Sequence, residues 1–102
     1  MAEFVRAVAK SDLGAGQGAV VELQGKKIAI FNVDGAFYAM DDTCTHAGGP
    51  LSEGEVDGMV VTCPWHGARF DIKTGGVLGP PAPDDVRGYE VKTEGEHVLV
   101  KI

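Results

Sequence analysis

Two short segments of the chain each place a cysteine and a histidine within three positions of one another. They are Cys44-Thr45-His46 and Cys63-Pro64-Trp65-His66, with sixteen residues between them. The chain has no other cysteine, and thiolate and imidazole groups are strong ligands of transition metals. Cys44, His46, Cys63 and His66 are therefore candidate metal ligands, and a fold that uses them must bring the two segments together.

The order of these ligands distinguishes between kinds of metal site. A structural zinc site usually takes two cysteines from one tight turn and two histidines from one helix, and neither half occurs here. If two loops face each other, the cysteines can bind one metal and the histidines a second. A 2Fe-2S cluster with two histidines on one iron matches this division. A mononuclear zinc site with the same ligands and a disulfide stay open as alternatives, although residues 1–4 lack the basic and apolar start of a secretion signal.

The motifs resemble those of the Rieske ferredoxins. The resemblance covers residues 44–49, 63–67, 70–71 and 79–81. It implies one Rieske-type 2Fe-2S cluster, with Cys44 and Cys63 on the inner iron. It also implies that His46 and His66 bind the iron that is reduced and that lies nearest the solvent, so they would form the exit edge for the electron.

Strand signals dominate the sequence, and fifteen glycines and five prolines cut it into short pieces. Alternating apolar residues predict strands over 3–8, 19–24, 26–32, 36–41, 59–62, 68–72, 86–93 and 97–102. Turns are predicted at Gln24-Gly25-Lys26, Asp34-Gly35 and Glu94-Gly95. The pattern predicts an all-β fold, an antiparallel sandwich or barrel, with a small cluster-binding subdomain formed by two loops.

The length of 102 residues predicts one domain over residues 1–102. The ligands fall on loops at about 43–51 and 63–67, both rich in glycine and proline. Gly48, Gly49 and Gly67 are either plain turn residues or positions where the backbone approaches the cluster. The proline-rich run at about 79–83 is a stiff connector by composition, and the resemblance implies that it covers the cluster.

The charge distribution indicates the kind of partner. A net charge of -6 argues against nucleic acid and anionic membranes. Residues 28–68 contain no Lys or Arg, while several acids lie around the ligand pairs. These are Asp34, Asp41, Asp42, Glu53, Glu55 and Asp57. They form either an ordinary solvated face or a surface that steers docking to basic redox partners.

The function implied by the resemblance is electron transfer rather than catalysis. The sequence has no nucleotide-binding glycine motif and no second ligand set for a catalytic iron, since His97 is the one histidine left over. We expect a cytoplasmic, monomeric one-electron carrier. It would receive electrons from a flavin-containing NAD(P)H reductase and pass them to a terminal oxygenase that hydroxylates aromatic rings. A small subunit of an assimilatory nitrite reductase and a zinc-held interaction module are the alternatives.

Four positions near the ligands bear on the reduction potential and the surface. In the family, high-potential members carry serine and tyrosine where this chain has Ala68 and Phe70, so a potential in the lower part of the Rieske range is expected. Trp65, between two ligands, is either a core residue that shields the cluster or a partly exposed residue of a docking surface. The respiratory members carry a disulfide between the positions that Gly49 and Trp65 occupy here.

Overall fold

The structure, a computed structural model, describes residues 3–43, 49–65, 67–79 and 84–102. The elements in this part of the chain are strands and two short 3-10 helices, Lys10–Asp12 and Leu51–Glu53. The strands are β1 (Phe4–Ala9), β2 (Gly18–Leu23), β3 (Lys26–Val33), β4 (Ala36–Asp41), β5 (Glu55–Asp57), β6 (Val60–Thr62), β7 (Arg69–Asp71), β8 (Val77–Gly79), β9 (Gly88–Tyr89), β10 (Val91–Glu94) and β11 (His97–Lys101). The predicted all-β fold is confirmed.

The strands form three antiparallel sheets. The first has the order β1-β11-β10, the second β2-β3-β4-β9, and the third β5-β6-β7-β8. The third sheet is contributed by the chain between β4 and β9, so it is an insertion between two neighbouring strands of the second sheet. Both predicted ligand loops belong to this insertion, one between β4 and β5 and one between β6 and β7.

Strand β3 lies at the centre of the molecule because its two faces belong to two different cores. Side chains alternate between the faces of a strand, and here Ala29 and Phe31 face the core shared with the third sheet, while Ile28 and Ile30 face the core shared with the first sheet. All four are fully buried. A strand that is buried on both faces has a continuous run of apolar residues in its sequence. Residues 28–31 are such a run.

Two of the predicted hairpin turns have positive φ angles at both central residues. Gln24 and Gly25 have φ values of 50° and 80°, and Asp34 and Gly35 have 53° and 89°. Positive φ at both central residues is typical of a type I′ turn, where Asn, Asp and Gly are preferred. The turns set the pairing of β2 with β3 and of β3 with β4, which begins at Leu23 with Lys26 and at Val33 with Ala36.

Two strand predictions need correction. The strand predicted over 86–93 is divided, since β9 pairs with β4 in the second sheet and β10 pairs with β11 in the first. The short strands β5 and β8 were not predicted, and each pairs with a neighbour inside the third sheet. No helix in the described part of the chain is long and apolar enough to cross a membrane.

Candidate metal centre

Of the four predicted ligands, Cys63 lies in the described part of the structure. Cys44, His46 and His66 lie outside the described residues, as do Gly48 and most of the proline-rich run. The described residues contain no group of three or more His, Cys, Asp or Glu side chains that could hold a metal ion. What the structure shows is therefore the surroundings of Cys63 and the two ends of the first ligand loop.

Cys63 follows the last residue of β6 and is almost completely buried, with 1% of its surface exposed. Its N–H donates to the carbonyl of Ala68 at 2.7 Å, which closes the second ligand loop where β7 is about to begin. Within the loop, the N–H of Trp65 lies 3.4 Å from the Cys63 sulfur and donates to it. A hydrogen bond of this kind to a ligand sulfur is one of the features that tune an iron-sulfur cluster.

Gly49 brings the first ligand loop against the second. A Cβ atom at this position would lie 2.7 Å from the Cys63 sulfur and 3.0 Å from Cγ of Trp65. These distances leave no room for a side chain, so the absence of one at position 49 lets the two loops touch. Gly67 differs, because its φ of 76° suits a turn and a Cβ there would meet no atom within 4 Å.

The first ligand loop is closed at its base by Asp42. The carbonyl of Asp42 accepts a hydrogen bond from the N–H of Leu51 at 2.7 Å. Its carboxylate Oδ1 accepts one from the N–H of Ser52, also at 2.7 Å. Thr43 and Pro50 form an isolated antiparallel bridge just inside these bonds. Sequence reasoning missed this role and counted Asp42 only as one of several acids.

Trp65 is half exposed, at 50%. The structure therefore corrects the interpretation of Trp65 as a core residue, although the start of its side chain faces Gly49. Ala68 and Phe70 are fully buried and belong to the same core as Cys63. Neither carries a hydroxyl group, so neither side chain can donate a hydrogen bond to a sulfur.

The acidic residues around the loops differ in burial. Asp42 is buried, with 4% of its surface exposed, whereas Glu53, Glu55 and Asp57 are exposed on the first 3-10 turn after the loop and on β5. His97 begins β11 in the first sheet, where it pairs with Ala9 and Glu94, as its strand prediction requires. It lies in a different sheet from β6, the strand that precedes Cys63.

The donor set and these surroundings fit an iron-sulfur cluster. The set contains two thiols and two imidazoles, the sulfur of Cys63 is shielded from water, and a backbone N–H is aimed at it. A family model described as the Rieske [2Fe-2S] domain matches residues 3–90.

The chain belongs to the Rieske [2Fe-2S] family. The predicted cofactor, a Rieske-type 2Fe-2S cluster, is thereby confirmed in place of a zinc ion.

Three relatives illustrate the membership. The ferredoxin component of the naphthalene 1,2-dioxygenase system of Pseudomonas putida is 36% identical over 98% of this chain and 96% of its own. The biphenyl dioxygenase ferredoxin subunit of Pseudomonas sp. (strain KKS102) is 41% identical over 95% and 90%. A chain from the complex of reduced oxygenase and oxidised ferredoxin in carbazole 1,9a-dioxygenase is 36% identical, covers 95% and 91%, and superposes with a TM-score of 0.89. The first two of these relatives are named as ferredoxin components of dioxygenase systems.

Proposed function

We propose that this protein is the ferredoxin component of an aromatic-ring dioxygenase system. It carries one electron at a time from a flavin-containing NAD(P)H reductase to a terminal oxygenase and is not itself a catalytic enzyme. The observation that carries this proposal is the match over nearly the whole length of this chain and of the biphenyl dioxygenase ferredoxin subunit. A match over nearly all of both chains means that no large part of this relative lies outside the matched region.

The residues that would hold the cluster are Cys44, His46, Cys63 and His66. When bound, the cluster supplies one-electron redox chemistry at a potential that histidine ligation raises above that of four-cysteine clusters. The burial of Cys63 supports its place on the inner iron. The contact of Gly49 with the Cys63 sulfur supports a meeting of the two ligand loops.

The protein residues contribute three things to electron transfer. The loop around Cys63 excludes water from a ligand sulfur and directs a backbone N–H at it. The buried Ala68 and Phe70 fill the core behind the site without adding hydroxyl donors, which keeps the potential low. Trp65, half exposed beside these loops, offers an apolar surface to a docking partner.

We assign residues 1–102 to a single Rieske domain with ligand loops at about 43–51 and 63–67. The bridge between Thr43 and Pro50 and the bond between Cys63 and Ala68 support the bounds of the loops. We place the protein in the cytoplasm as a monomer, with protein partners and neither nucleic acid nor membrane. The net charge of -6 supports the exclusion of nucleic acid and anionic membranes as partners, because it repels polyanions.

The proposal is tested by reconstitution. The purified chain replaces the ferredoxin subunit in the biphenyl dioxygenase system, and oxygen uptake that depends on both NADH and biphenyl is measured. We expect uptake to rise with the concentration of the chain, and the Cys63→Ala variant to give none. A chain that is reduced but passes electrons to nitrite reductase and to no ring-hydroxylating oxygenase would instead belong to the nitrite reductase alternative.

A further inference from the structure

A buried acid lies two residues before the first predicted ligand. Asp42 has 4% of its surface exposed, and the ion pairs in the described part of the chain, Lys92 with Glu94 and Lys101 with Glu90, do not include it. Charged residues are seldom fully buried unless their groups are engaged in specific interactions. The interactions of Asp42 therefore indicate what the residue does.

The interactions of Asp42 join three parts of the fold. Its N–H donates to the carbonyl of Lys27 at 3.1 Å, which ties it to the central strand β3. Its carbonyl and its carboxylate accept the N–H groups of Leu51 and Ser52, both at 2.7 Å. The two ends of the first ligand loop are thus held to each other and to β3.

The segment that Asp42 holds also packs against the second ligand loop. Gly54 follows the 3-10 helix that contains Leu51 and Ser52, and a Cβ atom at Gly54 would collide with the carbonyl oxygen of Thr62. Thr62 immediately precedes Cys63, so the end of the segment 51–54 packs directly against the residue before a predicted ligand. A short path of contacts leads from the Asp42 carboxylate to the Cys63 backbone.

The two loops are closed by different kinds of bond. The second loop is closed by a backbone bond, from the N–H of Cys63 to Ala68, which no side-chain substitution removes. In the first loop, one of the closing bonds depends on a side chain, the carboxylate of Asp42. A substitution at Asp42 can therefore change the placement of one ligand pair relative to the other.

We propose that Asp42 is a positioning residue for the cluster: its carboxylate holds the first ligand loop at a fixed distance from the second. The inference rests on the proposed ligands, because it concerns how Cys44 and His46 are placed against Cys63 and His66. The essential property is a hydrogen-bond acceptor at Oδ1. The charge of Asp42 is not part of the proposal.

The test compares Asp42→Ala and Asp42→Asn by iron content and by the electron paramagnetic resonance (EPR) spectrum of the dithionite-reduced protein. Ala removes the acceptor, so we expect several-fold less iron per chain and shifted or broadened g-values in the protein that keeps its cluster. Asn keeps an acceptor oxygen at the same place, so we expect the wild-type spectrum and iron content. If Asp42→Ala does not fold, Asp42→Ser is measured in its place, since a serine hydroxyl is too short to reach Ser52 from the same backbone.

Asn32→Ala is the matched control. Asn32 is a buried residue of β3 whose amide donates to the Leu13 carbonyl at 2.8 Å and accepts the Gly35 N–H at 2.9 Å. These bonds hold loops that carry no ligands, so Asn32→Ala is expected to lower the thermal unfolding temperature and leave the g-values unchanged.

Two results would overturn the proposal. The first is a wild-type spectrum in Asp42→Ala or Asp42→Ser. The second is a change in Asn32→Ala as large as that in Asp42→Ala, because the effect would then be general loss of stability. A wild-type protein without a Rieske-type spectrum would instead refute the proposed ligands.

Discussion

The contact between Gly49 and Cys63 leaves no space for a side chain at position 49, directly against a predicted ligand sulfur. In Gly49→Ala the added methyl group would lie 2.7 Å from the Cys63 sulfur, so the two ligand loops must separate. We expect this variant to lose most of its cluster, measured as iron per chain and as the visible absorbance of the cluster.

Gly14→Ala is a suitable control for this prediction. The nearest atom to a Cβ at Gly14 is Oε1 of Gln17, at 3.0 Å, and this exposed side chain can move away. The control should keep the wild-type absorbance. Full cluster content in Gly49→Ala would show that the loops tolerate separation and that their contact is not required.

Ala68 and Phe70 have no hydroxyl group that could donate a hydrogen bond to the cluster or its ligands, so we expect a low reduction potential. A hydrogen bond to a charged group is worth about 1.5 to 3 kcal/mol. If most of this hydrogen-bond free energy is gained only when the cluster is reduced, each new hydroxyl donor would raise a one-electron potential by about 60 to 130 mV. The double variant Ala68→Ser, Phe70→Tyr should raise the potential by less than twice that amount, because both positions are buried and the new hydroxyls must be oriented.

Protein-film voltammetry measures both proteins. The wild type should lie in the lower part of the Rieske range of roughly -150 to +300 mV. A wild-type value near the upper limit, or no upward shift in the double variant, would mean that other groups control the potential.

At the scale of elements, Tyr89 joins the edge strand β9 to β4. Its hydroxyl donates to Oδ1 of Asp41 at 2.6 Å. Burial, and then this hydrogen bond, raise the pKa of Tyr89 to about 12, above the ordinary 10.0. Because the folded pKa is raised, the stabilising effect is complete below pH 10 and is lost as the pH rises through 12.

Tyr89→Phe tests this connection. We expect it to lower the free energy of unfolding by about 1 kcal/mol at pH 8 and to reduce the loss of stability between pH 10 and 12. Urea denaturation of both proteins across this pH range measures the difference. Equal pH profiles in the two proteins would show that Tyr89 is not the group that titrates.

The exposed acids on the 3-10 helix and β5 are the part of the molecule suited to steering a partner. Neutralising Glu53, Glu55 and Asp57 as Gln, Gln and Asn should slow electron transfer with the reductase and weaken its dependence on ionic strength, since exposed charges act through a screened field. Stopped-flow reduction at several salt concentrations measures both effects.

A second triple variant, Glu22→Gln, Glu94→Gln, Glu96→Gln, makes the same change in net charge on β2, on β10 and in the turn after β10, away from the third sheet. It should leave the rate nearly unchanged. Equal slowing in the two triple variants would mean that net charge, rather than the acids beside the ligand loops, governs the encounter.

The elements that the sequence predicts well are those whose signals are local. The turns at Gln24-Gly25 and Asp34-Gly35 follow from residues that favour positive φ, and the run at 28–31 follows from burial on two faces. Strand β5 was missed because Glu55 and Asp57 are exposed and its pairing with β6 depends on the third sheet as a whole. The break between β9 and β10 was missed because the chain changes sheets there without any glycine or proline at Glu90.

At the scale of the whole molecule, the candidate site combines short motifs with long-range contacts. The cysteine and histidine motifs were enough to predict the family and its cofactor. The role of Asp42 was not predictable, because its partner is the backbone N–H of Ser52, ten positions later, and a backbone donor leaves no residue signal in the sequence. The same holds for Gly49, whose importance depends on where Cys63 lies.

We expect cluster binding and folding to be coupled, because the predicted ligand Cys63 belongs to the buried core that unites the second and third sheets. When folding is needed to bring the ligands together, the free energy of cluster binding adds to the free energy of unfolding. We therefore expect loss of the cluster to loosen the third sheet as well as to end electron transfer.

We infer that Cys44, His46, Cys63 and His66 together hold one [2Fe-2S] cluster. This inference is tested most directly by iron and acid-labile sulfide analysis of the wild type and of the four single alanine variants. The wild type should contain two iron atoms and two sulfide ions per chain, the composition of one [2Fe-2S] cluster, and each variant should lose both. One zinc ion without sulfide in the wild type, or an alanine variant that keeps the full iron and sulfide content, would contradict the account.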